Sequence, residues 1–144
     1  MGQQQLLLLV LSTVIVGLAT VAGIQAFDEG QNQATQDALT QRALSIGNDL
    51  YAVSQKPSQL GGIDLGGNAA DAAKSAGFSS DEGISAEGVG GQSPSCDIES
   101  SSSNSTFTVK CGSNDATGGQ TVQVVVDSDG PSLTQVDDND ITSS

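Results

Sequence analysis

The hydrophobic positions change pattern twice along this chain. Leu6 to Ile24 reads LLLLVLSTVIVGLATVAGI, nineteen residues without a charged side chain. As a helix rising 1.5 Å per residue it spans about 28 Å, close to the hydrocarbon thickness of a bilayer. Ser12, Thr13, Gly17, Thr20 and Gly23 interrupt it. Hydroxyls at such positions can bond back to helix carbonyls, and the glycines permit close helix–helix approach. After Phe27 the chain turns polar, and Leu39, Ala43, Ile46, Leu50 and Val53 recur at spacings of four, three, four and three. That is one stripe of an amphipathic helix. The stripe predicts packing on the chain's own small domain, with a seam between subunits as the alternative. No proline lies between Met1 and Lys56, and Pro57 ends the run. One helix from Leu6 to Gln55 would be about 75 Å long. Gly30 and Gly47 are its weak points, each costing ~1 kcal/mol relative to Ala, and a break near Gly30 would mark the join to a globular part.

The segment from Gly61 to Gly91 is glycine-rich and reads mostly as surface loop, with turn signals at Gly61-Gly62, Gly66-Gly67 and Gly90-Gly91. Within it, Asn68–Ala76 predicts a short helix capped by Asn68. Beyond Pro94 the period becomes two. Cys96–Ser100 and Thr106–Cys111 flank the hairpin loop Ser101–Ser105. Thr121–Asp127 (TVQVVVD) places Val122, Val124 and Val126 on one face of a strand. Asp127-Ser128-Asp129-Gly130 is a turn, and Ser132–Val136 returns as a last strand. The expected fold class is α+β: a long N-terminal hydrophobic helix, then a small antiparallel meander of three or four strands lying against the amphipathic helix.

Charge sharpens the division. The chain has 144 residues, 4 Lys+Arg against 17 Asp+Glu, no His, and a formal net charge of -13. Met1 to Phe27 carries no charged side chain, and Asp28 to Ser144 carries them all. Only 21 of the last 117 residues are Leu, Ile, Val or Phe. An exterior domain of that composition has a thin core and needs a long helix, a disulfide, salt or neighbouring subunits to support it. Asp outnumbers Glu by 13 to 4. The balance resembles that of proteins from salt-loving microbes, in which salt screens self-repulsion.

The same composition limits the chemistry. Four basic side chains, Arg42, Lys56, Lys74 and Lys110, argue against a nucleic-acid partner. Without histidine there is no imidazole base or ligand, and two cysteines alone cannot complete a zinc site. No metal or other cofactor is expected. The glycine pairs lack the strand–GxGxxG–helix context of a phosphate loop. Asp127-Ser128-Asp129-Gly130 is half of a calcium loop without its closing Glu, and with Asp137-Asp138-Asn139-Asp140 it reads as a solvated acidic turn and tail. No carboxylate pair or serine elbow suggests catalysis, so no enzyme is expected. Cys96 and Cys111 would close a symmetric hairpin with Glu99 opposite Thr108, which predicts a structural disulfide. Asn104-Ser105-Thr106 matches the N-glycosylation acceptor pattern.

The start of the chain narrows the function. A signal anchor normally carries Lys or Arg before its apolar run, whereas Met1-Gly2-Gln3-Gln4-Gln5 carries none. Ile24-Gln25-Ala26 offers a cut site, but the apolar run is longer than that of a secretory signal. The segment Gly2-Gln3-Gln4-Gln5-Leu6 resembles the processing site of type IV pilins, particularly archaeal-type ones, and Leu6–Ile24 is similar to the pilin N-terminal helix. The resemblance implies cleavage by a prepilin peptidase between Gly2 and Gln3. It also implies a filament core built from Leu6, Leu7, Leu8, Leu9, Val10, Leu11, Val14, Ile15, Val16, Leu18, Val21 and Ile24. Counting from Gln3, the fifth mature position is Leu7, where many bacterial pilins carry Glu. The implied organisation is a leader at 1–2, a membrane and filament-core helix at 3–27, its amphipathic continuation at 28–56, and an acidic exterior domain at 57–144. The expected partners are copies of the same chain, the peptidase and assembly machinery, and the cytoplasmic membrane before assembly into an extracellular filament. Two alternatives are a membrane-anchored minor pseudopilin or accessory protein of a secretion machine, and a soluble module secreted after cleavage at Ala26.

Overall fold

The computed structural model describes residues 2–90, 92–114 and 120–137. It is an α+β arrangement, a long N-terminal helix followed by a five-stranded antiparallel sheet. Helix α1 spans Gly2–Ser54 as one element. The chain nonetheless divides into two compact units between Gln33 and Ala34, and α1 contributes to both.

In the second unit, the predicted stripe is the buried face of α1. Leu39, Ala43, Ile46 and Leu50 are wholly buried and Val53 nearly so. The helix ends where proline forbids its continuation: Gln55 and Lys56 donate their last backbone bonds to Tyr51 and Val53. Pro57 then opens a short 3-10 turn, Ser58–Leu60. Helix α2 (Ala69–Ser75) follows. Its N-cap is Asn68, whose Oδ1 accepts from the Ala70 and Asp71 N–H groups at 2.9 and 3.3 Å, satisfying donors that a helix start leaves free.

The strands are β1 (Ile84–Ser85), β2 (Gln92–Ser101), β3 (Thr106–Asn114), β4 (Gln120–Asp127) and β5 (Gly130–Asp137), paired in chain order. The expected register is present: Cys96 faces Cys111 and Glu99 faces Thr108. Alternation sorts the two faces. Ile98, Phe107, Val109, Val122, Val124 and Val126 point into one core with the helix stripe, while Glu99, Thr108, Lys110 and Gln123 lie on the other face. Lys110 Nζ meets Glu99 there at 2.8 Å, both half-exposed, a pair that contributes little in water. Prolines sit where a ladder tolerates them. Pro94 occupies the irregularity of β2 between Gln92 and Ser95, and Pro131 lies on the outer strand β5.

Two features correct the sequence reading. Outside the expected Asn68-capped helix, the glycine-rich stretch is not all surface loop, because Ile84 and Ala86 are buried in the core. Strand β1, a fifth strand beyond the three or four expected, is secured from β2. Asp97 Oδ1 accepts from Gly83 N at 2.7 Å, and Ile98 N donates to Asp81 O at 2.7 Å. Arg42 adds a tie from α1 through Nη2 to Ser85 O at 3.1 Å. Gly47 is the second correction. It is buried against Pro131, Val124 and Val126, so it is the point of close helix–sheet approach rather than a weakness in α1.

Candidate functional site

The first part of α1 carries an extended apolar surface. Leu6, Leu7, Leu8, Leu9, Val10, Leu11, Val14, Ile15, Val16, Leu18, Val21 and Ile24 are all between 53% and 70% exposed. They occupy every face of the helix, since four consecutive leucines already pass once around its circumference. A surface helix of a soluble domain hides a stripe, as α1 itself does from Leu39 onward. A helix apolar all round has its polar alternatives closed and belongs in lipid or in a protein core.

The interruptions do not weaken that surface. Ser12 Oγ donates to Leu8 O at 2.7 Å, Thr13 Oγ1 to Val10 O at 2.8 Å, and Thr20 Oγ1 to Gly17 O at 2.8 Å. Each hydroxyl is thereby satisfied within the helix and brings no unpaired donor into an apolar medium. Gly17 and Gly23 have no atom within 4 Å of where a side chain would stand, leaving the backbone open to close approach. Among the described residues one helix, α1, is long and apolar enough to cross a membrane. At its start, Gly2, Gln3, Gln4 and Gln5 are helical and exposed.

The other candidate residues lie in the second unit. Cys96 and Cys111 form a disulfide, both sulfurs within the buried core. Asn104 is exposed between β2 and β3. The half calcium loop is occupied by its own backbone, because Asp127 Oδ1 accepts from Asp129 N at 2.8 Å to close the β4–β5 turn. The acidic tail residues Asp138, Asn139 and Asp140 lie outside the described residues. Among the described residues no group of three His, Cys, Asp or Glu side chains comes together to hold a metal. No family model, curated protein or solved structure matches the chain.

Proposed function

We propose that this chain is the structural subunit of a type IV pilus-like extracellular filament, held in the membrane by Leu6–Ile24 and assembled through the same segment. The carrying observation is the complete apolar circumference of that segment. A membrane covers the apolar surface first, and a bundle of identical helices covers it again after assembly. Each large side chain so covered contributes about 1.5–3 kcal/mol relative to water, so the helix is the dominant adhesive. The acidic domain stays in solvent, where its charge keeps it soluble.

Processing between Gly2 and Gln3 would leave a free amine beside Gln3, Gln4 and Gln5. Their amides can accept hydrogen bonds from a neighbour's amine without placing a second charge among apolar side chains, which is costly. In this reading a prepilin peptidase and an assembly machine act on the chain, and no chemistry is performed by it. The test is to shear the extracellular surface of native cells, image the released material and sequence the N-terminus of its main chain. Filaments of this chain beginning at Gln3 are expected. A chain found only as single copies in membranes supports the accessory-protein reading instead, and a soluble chain beginning at Phe27 supports the secreted one.

A further inference from the structure

The β2–β3 hairpin ends in a feature that the filament reading does not use. Among six asparagines in the sequence, only Asn104 is followed by the pattern x-Ser/Thr. The strands determine where that triplet stands. Their ladder runs from Cys96↔Cys111 to Ser101↔Thr106, so residues 102–105 cross between strands as a turn and Thr106 opens β3. Asn104, Ser102, Ser103 and Ser105 are all exposed. A large group on Asn104 Nδ2 displaces no buried side chain, and its small hydroxyl-bearing neighbours present no bulky obstacle. The base of the turn is braced at the same time. Gly66 packs so closely that a Cβ there would lie 2.6 Å from Ser101 O and 2.8 Å from Ser105 Cα. The tip is therefore open while the strands below it are held.

A second observation concerns the compartment. The disulfide Cys96–Cys111 lies in the same ladder, five rungs from Ser101↔Thr106. Disulfides persist in oxidising surroundings outside the cytosol, and Asn-x-Ser/Thr acceptors are used on surface loops of exported proteins. One hairpin thus carries both marks of an exported domain, at positions that do not interfere.

We propose that Asn104 is N-glycosylated, the donor being an oligosaccharide linked to a polyisoprenyl phosphate or pyrophosphate. In the transfer, Asn104 Nδ2 forms a bond to the anomeric carbon of the first sugar. The bond from that carbon to the phosphate oxygen breaks, and the lipid phosphate leaves with the electron pair. The amide nitrogen gives up one proton to the transferase or solvent. No oxidant or reductant is involved. The Thr106 hydroxyl, two residues on, is the recognition element.

The test is mass spectrometry of the full chain made in its native host, reading the tryptic peptide between Lys74 and Lys110 with the disulfide reduced. The wild-type peptide is expected to carry a carbohydrate mass. Asn104→Gln and Thr106→Ala are each expected to lose all of it, while Thr106→Ser, which keeps the hydroxyl, retains it. Formation of the Cys96–Cys111 bond in every variant confirms that the domain has folded. An unmodified wild-type peptide overturns the proposal. So does a carbohydrate mass that survives Asn104→Gln, which would place the sugar on the neighbouring serines.

Discussion

Alanine at position 47 sets helix propensity against packing in one substitution. In an exposed helix, Gly→Ala gains about 1 kcal/mol. In this core a Cβ on residue 47 would lie 3.0 Å from Pro131 Cβ, 3.2 Å from Val124 Cγ1 and 3.4 Å from Val126 Cγ2. Favourable carbon–carbon contact begins near 3.5 Å. None of the three neighbours can swing away: Pro131 is a closed ring, the valines have restricted χ1 angles, and Val124 and Val126 are wholly buried. The helix and sheet must therefore separate by a few tenths of an ångström, and overpacking of this kind costs about 1–3 kcal/mol. The expected net effect of Gly47→Ala is a loss of about 1 kcal/mol, after the propensity gain is subtracted. Gly47→Val adds two further methyl groups and a β-branched penalty, and is expected to lose about 3 kcal/mol or more. Gly30→Ala is the internal control. No atom lies within 4 Å of its Cβ position, so it is expected to be neutral or to gain up to about 1 kcal/mol. The assay is urea unfolding of the detergent-solubilised full chain, followed by the fluorescence of Tyr51. This is the single tyrosine in a chain without tryptophan, and it packs on the core. A Gly47→Ala protein with a urea midpoint equal to or above that of Gly30→Ala would refute the close-approach argument.

Three other outcomes are expected. Leu9→Asp or Val16→Asp should abolish filaments while the acidic domain remains folded, because a charge in the apolar segment costs several kcal/mol; normal filaments seen by electron microscopy would sink the assembly reading. The domain expressed from Asp28 should melt at a higher temperature in molar salt than in dilute buffer, since screening relieves a chain with 17 acidic and 4 basic residues. Equal or lower melting temperatures in salt would reject that account. The double variant Cys96→Ser, Cys111→Ser should lose ~2–4 kcal/mol by denaturant unfolding, because the bridge closes a sequence separation of 15. Unchanged stability would show that the hairpin holds its register without it, and assembly through Leu6–Ile24 should survive in part.

Every feature that rests on local period is legible in the order of residues alone. The apolar run, the stripe Leu39–Ala43–Ile46–Leu50–Val53, the alternating valines of β4 and the Asn68 cap are each properties of a few neighbouring residues. The hairpin register was legible too, because two cysteines flanking a serine-rich loop admit one symmetric pairing, and Cys96↔Cys111 is that pairing. The apolar surface of the candidate site could be read because nineteen uncharged residues leave no polar face to find. What sequence reasoning missed depends on distance between remote segments. Strand β1 is two residues long and carries no period; it is defined by the pairing of Ile84 and Ser85 with Cys96 and Ser95 of β2. Ala72, Ala73 and Ala86 belong to the buried core, and nothing in an alanine announces burial. Gly47 is the clearest case. Propensity marks it as a flaw in the helix, and only the meeting of α1 with Pro131, Val124 and Val126 makes the missing side chain a requirement. Helix and strand periods are written in consecutive residues, whereas the spacing between a helix and a sheet is set by atoms more than seventy positions apart in the chain, which no local pattern encodes.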